Sequence, residues 1–239
     1  MTAHRMPSIR RILSPRPNAG LLAGLLAGLL AAGAGASPAA GDETIDEGVV
    51  EFSITYEDVG PMAAMLPKTE RVLFRPGQVR VESGMNVTLR GVVDGKQVNL
   101  VNAGPVKLAF LLPATEPATR NELLRFEEGD GTRTVAGIKA RAVDGVDRED
   151  DSNRLTYWVT DHIEANHVAT PALPGFALDY SQSFQDGLAH RAATRVDAGP
   201  VDATLFAIPD DYEQVEIESP RQIGAELQKR LGGDVQVME

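Results

Sequence analysis

The chain has 239 residues, with 23 Lys and Arg against 34 Asp and Glu, a formal net charge of −11 and no cysteine. An acidic balance argues against nucleic acid and anionic membrane surfaces as partners. The lack of cysteine removes disulfides, thiolate chemistry and a lipid-modified N-terminal cysteine, and a chain of this size buries a sizeable core without cross-links.

The first elements are those of an export signal. Arg5, Arg10, Arg11 and Arg16 stand without an acidic residue ahead of the apolar run from Leu21 to Ala32. Ala34-Gly35-Ala36 supplies the small-x-small cleavage pattern, which predicts a signal peptide over 1–36 and a mature start at Ser37. Removing those four arginines leaves 19 basic against 34 acidic residues, a net of −15. The apolar run is diluted by Ala and Gly and falls short of the ~20 strongly apolar residues of an anchor. No stable membrane insertion after cleavage is therefore expected. Residues 37–47 are small, polar and acidic, and read as a disordered leader.

From residue 48 the period becomes two. Val50, Phe52, Ile54 and Tyr56 alternate with polar residues, and the pattern recurs over 71–74, 79–82, 87–93 and 97–101. Pro76-Gly77 and Asp94-Gly95 are tight-turn signals, so these segments should be consecutive hairpins. Val106, Leu108, Phe110 and Leu112 form a further alternating face, stopped by Pro113 before a loop at 115–119. A short helix or turn is expected over 121–126, a turn at Glu128-Gly129-Asp130-Gly131, a strand over 134–143 and a charged loop over 144–153. Strands follow at 155–161, 176–184, 190–196 and 201–208, giving about ten in all. In the tail, Ser219-Pro220 places a cap and a first-turn proline ahead of Ile223, Leu227 and Leu231, a stripe that predicts one short helix packed on the sheet or closing its edge. The expected organisation is a β domain over 48–218 and a helix with its tail over 219–239.

Chemistry-bearing patterns are sparse. His162 and His167, beside Asp161 and Glu164, lie five apart, which matches no helix face, and read as part of a solvated loop rather than metal ligands. His190 reads as a surface or half-buried strand residue. Glu149-Asp150-Asp151 lacks the glycine-bent spacing of a calcium loop and reads as an acidic turn. No serine stands in a Gly-x-Ser-x-Gly setting, so the expectation is no catalytic residue, no metal and no cofactor. Asn86-Val87-Thr88 is a glycosylation triplet whose meaning depends on the host. The stretch Pro61-Met62-Ala63-Ala64-Met65-Leu66-Pro67 leaves two readings open: a lid of adaptable methionines over a cavity, or a plug of the domain's own core.

Several segments together resemble an exported bacterial family of unknown function. They are Ile54-Thr55-Tyr56, the run from Phe74 to Glu82, Gly137-Ile138-Lys139-Ala140-Arg141-Ala142, Trp158-Val159-Thr160-Asp161-His162-Ile163, Leu173-Pro174-Gly175-Phe176-Ala177-Leu178-Asp179-Tyr180 and Phe206-Ala207-Ile208-Pro209-Asp210-Asp211-Tyr212. The resemblance spans about 48–215, and its 158–212 half is the more specific. It extends to the exported proteins named for a Gly-Leu-Pro-Gly-Leu-Ile motif and, more distantly, to the half-barrel lipoprotein carriers of the bacterial envelope. Ala140 stands where family members often carry a cysteine. The resemblance implies a periplasmic protein, mainly β, with an antiparallel curved sheet or half-barrel and an apolar concave face. It supplies no catalytic residues, and shared architecture does not by itself establish lipid carriage.

These readings together predict a monomeric, non-enzymatic periplasmic binding module for a lipid-like or other apolar small molecule. Its candidate lining is Met62, Met65, Leu66, Phe110, Trp158 and Phe176, with Trp158 at least partly buried; the alternation also allows Trp158 to share the outer face with Thr156 and Thr160 while Leu155, Tyr157 and Val159 point inward. The alternative is a structural or adaptor protein that contacts another envelope protein and fills its own core; a hydrolase ranks third. N-terminal sequencing of protein exported by a Gram-negative host should read from Ser37 or within a residue or two of it. Full-length chain in washed membranes would be the contrary result.

Overall fold

The computed structural model describes residues 44–114, 124–148, 154–165, 167, 173–184 and 187–231. The expected signal peptide, most of the leader, the 115–119 loop, Glu149-Asp150-Asp151 and the tail beyond Leu231 lie outside these residues.

Twelve strands form one sheet: β1 (Gly48–Glu57), β2 (Thr69–Arg75), β3 (Gln78–Ser83), β4 (Asn86–Val93), β5 (Lys96–Ala103), β6 (Val106–Pro113), β7 (Leu124–Val135), β8 (Ile138–Asp147), β9 (Arg154–Thr160), β10 (Phe176–Phe184), β11 (Gly187–Ala198) and β12 (Glu213–Glu216). Their order is β12-β6-β5-β4-β3-β2-β1-β11-β10-β9-β8-β7. Every pairing is antiparallel except β12 with β6, and β7 and β12 do not pair with each other. The fold is thus mainly β, a single curved sheet that does not close, with one C-terminal helix, α1 (Gln222–Leu231), as the alternation and the tail pattern predicted. No helix among the described residues is long and apolar enough to cross a membrane, which leaves strands out of account.

One aromatic cluster shows which way the sheet curls. Phe74 on β2 and Phe176 on β10 lie 6.1 Å apart, although two strands separate them in the sheet. Val50, Phe52, Val72, Phe74 and Val79 share one buried core with Val143, Tyr157, Val159, Phe176 and Tyr180. The face that carries these residues is therefore the inner one. Four phenylalanines, Phe52, Phe74, Phe110 and Phe176, are fully buried.

The outer face is covered over half its width by the chain between β11 and β12. Its 3-10 turn, Ala203–Phe206, is capped by Asp202, whose carboxylate accepts from the Thr204 N–H at 2.9 Å. Arg80 donates to the Leu205 carbonyl at 2.7 Å, and Ile208 and Tyr212 pack on Leu89, Val98, Leu100, Ala109 and Leu111. The 201–208 segment, expected as a strand, takes this course because it crosses strands rather than pairing with one.

Strand β6 is apolar on both faces, from Leu108 to Leu112, because both are covered. Leu108, Phe110 and Leu112 meet Ile217 and the Ile223 and Leu227 side chains of α1 on the inner side, while Leu231 remains largely exposed. The helix begins with a reciprocal cap: the Arg221 N–H reaches Ser219 Oγ, and Gln222 Oε1 accepts from the Glu218 and Ser219 N–H groups. Arg230 then pairs with Glu213 at 2.7 Å, tying the helix to β12.

Three further differences have local causes. Residues 124–126, expected as a helix or turn, begin β7, and the chain runs through Glu128–Gly131 as a bulge; the reversal comes instead at Ala136-Gly137. The expected 144–153 loop starts later, since β8 continues to Asp147. Ile45, expected in the leader, bridges Ile163, with its N–H donating to the His162 carbonyl at 2.6 Å.

Gly91 sits in the irregular stretch of β4 with φ +72°, and a Cβ there would stand 1.8 Å from the Gly77 carbonyl oxygen. Gly95 has a similar φ of +61° but open space around it. Gly91→Ala should cost ~2–4 kcal/mol in chemical denaturation, and Gly95→Ala only ~1. Equal costs would show that the close approach of Gly91 to the β2–β3 turn is not limiting.

Candidate binding face

Residues that oppose one another in register share a face, so the side-chain sets can be followed across the sheet. Val50 and Phe52 on β1 share the inner face with Val72, Phe74 and Glu70 on β2, and through them with Val79 and Val81 on β3. On β4 and β5 the inner positions fall to Thr88, Arg90, Gln97 and Asn99, while Leu89, Val98 and Leu100 point outward under Ile208 and Tyr212. The inner face is thus two apolar clusters, the ring cluster and the one under α1, with a polar row between them.

The row is bonded within itself. Thr88 Oγ1 donates to Asn99 Oδ1 at 3.2 Å, Gln97 Nε2 donates to the same oxygen at 3.1 Å, and Arg90 Nε reaches Gln97 Oε1 at 3.4 Å. Arg90 Nη1 donates to the His167 carbonyl at 3.2 Å. All four side chains of the row are half-buried. Burial holds the Arg90 guanidinium below its ordinary pKa, and the nearby Tyr180 hydroxyl offsets part of this.

His167, expected in a solvated loop, is only 6 % exposed. Its ring lies 4.4 Å from the Phe176 ring and 5.2 Å from the Phe52 ring, and edge-on to Tyr180. Nε2 meets the Tyr180 hydroxyl at 3.4 Å, and Nδ1 has no partner among the described residues. Burial, with the Arg90 and Arg191 charges behind it, pushes the imidazole pKa down to about 3. Burial likewise raises the Tyr180 phenol. Beside them Glu70 is buried and pairs with Arg191 at 3.5 Å; burial raises its pKa, and Arg191 pulls the other way.

The six predicted lining residues do not converge. Phe176 lies in the ring cluster and Phe110 under α1, on the same inner face but on either side of the polar row. Trp158 is half-buried on the outer face, opposite in direction to Tyr157 and Val159, with the Arg133 guanidinium 4.1 Å above its ring. Arg133 also pairs with Asp179, which holds His190 Nε2 at 2.9 Å, so His190 is a half-buried strand residue as expected. Met65 is 85 % exposed on a 3-10 turn, Pro61–Met65, which tethers to Tyr56 through its hydroxyl on the Pro67 carbonyl; the plug reading does not hold for Met65. Leu66 is half-buried beside it, and the Met62 side chain is outside the description. Among the described residues no group of three metal-ligating side chains comes together.

Arg90, His167, Glu70, Arg191 and Tyr180 were all missed as site residues. The signal lay in β4 and β5, where Thr88, Arg90, Gln97 and Asn99 alternate with apolar residues; alternation marks two faces without saying which is concave.

No protein-family model matches the chain, and no curated protein does. Among solved structures it is similar to PNGF-II, at 12% identity over 77% of this chain and 34% of that one, with a TM-score of 0.49. It is also similar to MucB in the MucA/MucB complex of Pseudomonas aeruginosa, at 16% identity over 68% and 56% of the two chains, TM-score 0.37. A third likeness is to LprF from Mycobacterium bovis, at 15% identity over 70% and 90%, TM-score 0.29. The chain spans about a third of the length of the PNGF-II chain.

The buried imidazole makes stability pH-dependent. Above the unfolded pKa of 6.5 both states hold it neutral; below that value the unfolded chain takes up a proton that the folded chain refuses until about pH 3. Stability should therefore fall as the pH drops from 6.5, by as much as ~1.4 kcal/mol per pH unit from this residue. His167→Leu should flatten that part of the profile in denaturant titrations between pH 8 and 4. Parallel profiles for the two proteins would place the ring in water.

Proposed function

We propose that this chain is an exported, non-enzymatic binding module of the bacterial envelope, and that its binding surface is the inner face of the sheet at β4–β6. The observation that carries the reading is the polar row of Thr88, Arg90, Gln97 and Asn99 between two apolar clusters. A face serving only as core would be apolar, because polar groups turned inward cost stability unless each is satisfied. Half-burial leaves the row accessible to a ligand. The ring cluster, by contrast, is closed by its own side chains, so the bound molecule lies along the row and not among Phe52, Phe74 and Phe176.

The second reading, an adaptor that meets another envelope protein through its outer surface, is favoured by that same sealing of the aromatic half. The two differ in what exported protein carries. Native mass spectrometry of protein recovered from the periplasm should show an adduct of a few hundred daltons that organic solvent removes. Thr88→Trp with Asn99→Trp should fill the row and abolish the adduct at a near-unchanged melting midpoint. Adduct-free protein that takes up no neutral fluorescent probe such as N-phenylnaphthylamine favours the adaptor.

A further inference from the structure

We propose that Arg90 seats a carboxylate carried on an apolar chain; this rests on the reading of the inner face as a binding surface. Arg90 is a half-buried cation whose partners are neutral, the Gln97 amide oxygen and the His167 carbonyl. Among the described residues no carboxylate lies within ion-pair distance of it, and its Nη2 has no partner. Arg191, the other guanidinium near this ring cluster, has Glu70. A desolvated guanidinium without an anion is costly, and a bound carboxylate offsets that cost through two parallel N–H donors.

The His167 ring beside Arg90 is sealed among Phe52, Phe176 and Tyr180, so it closes that end of the row, and the ligand's carboxylate meets Arg90 alone. The charge balance selects the ligand. Glu70 and Arg191 neutralise each other, which leaves one positive charge and so a monoanion rather than a doubly charged phosphate. The flanks select its body: the ring cluster stands on one side of the row, and Phe110, Leu112 and Val101, beneath Ile223 and Leu227, on the other. A fatty acid and the C-terminus of an apolar peptide both present this chemistry.

Calorimetric titration of the processed protein with dodecanoate and with its methyl ester, both below their micellar concentrations, separates charge from chain. The acid should bind roughly ten- to a hundredfold more tightly. Arg90→Gln should close the gap and Arg90→Lys should restore part of it. Equal affinities in the wild type, or a gap that survives Arg90→Gln, overturn the proposal. If Arg90→Gln does not fold, the Arg90 side-chain 15N resonance of the wild type decides: it should move with acid and not with ester, and a resonance unmoved by both overturns the proposal. A parallel arm with an apolar octapeptide, free or amidated at its C-terminus, identifies the source, since preference for the free peptide over both lipids supports the carboxylate and assigns it to a polypeptide. N-phenylnaphthylamine uptake with no acid–ester or free–amide gap sinks the carboxylate alone; no binding of any probe sinks the binding reading with it.

Discussion

Strand β11 ends beside β1, where the Gly199 N–H donates to the Glu47 carbonyl, whereas β12 lies beyond β6 at the far flank of the sheet. The chain between them has to cross six strands, β1 to β6, on one face. It crosses the outer face, and Arg80, Arg75 and Lys107 meet it there through Leu205, Phe206 and Asp211. Leu89, Val98 and Leu100 are buried beneath this crossing and not in the concavity. Because side chains alternate along a strand, an apolar set committed to the outer face leaves the intervening polar set facing in. The polar row of the inner face is thus a consequence of the β11–β12 connection.

The same constraint divides the concavity. From β1 to β3 and from β8 to β11 the apolar residues face inward and the sheet curls until Phe74 meets Phe176. At β6 both faces are covered, by Ile208 and Tyr212 outside and by α1 inside, and the strand is correspondingly apolar throughout. Between these regions β4 and β5 carry hydrogen-bonding side chains that satisfy most of one another's needs and leave one charge over, on Arg90. Gly91, the next residue, is held against the β2–β3 turn by a backbone approach that only glycine permits, so the chain leaving Arg90 has a fixed course.

Strand positions were legible wherever period two was clean, as in Val50 to Tyr56 and Val106 to Leu112, because one buried face writes itself directly into sequence. Strand β12 was not: Glu213-Gln214-Val215-Glu216 has one apolar residue, and its place is set by parallel pairing with β6, a partner about a hundred residues away. Residues 201–208 misled because Phe206 is buried, and Val201 and Ile208 half-buried, by crossing strands, and burial alone mimics a strand. The candidate site was legible only in part. Phe110 and Phe176 pack on the inner face, but which face of β9 or β4 is inner depends on the order and curl of the sheet. Trp158, a lining candidate whose alternation left both faces open, lies outside, whereas Arg90, which the alternation did not single out, lies inside. His167 gave no signal, since its burial comes from a short segment docking on distant rings.

The polar features of this face are held by one another. Leucine at 167 would remove the unpartnered nitrogen but leave the buried Tyr180 hydroxyl without its contact, and an apolar side chain at 90 would remove a desolvated charge but leave Gln97 Oε1 and the His167 carbonyl without their donor. The outer-face crossing requires only that inner β4 and β5 positions alternate with the apolar set, not that one of them be charged. Thr88, Gln97 and Asn99 are neutral; the first two donate to Asn99 Oδ1, and Gln97 Oε1 takes its bond from Arg90. Arg90 is the half-buried charge of the inner face that no carboxylate among the described residues balances, and the proposed anion site follows from that imbalance.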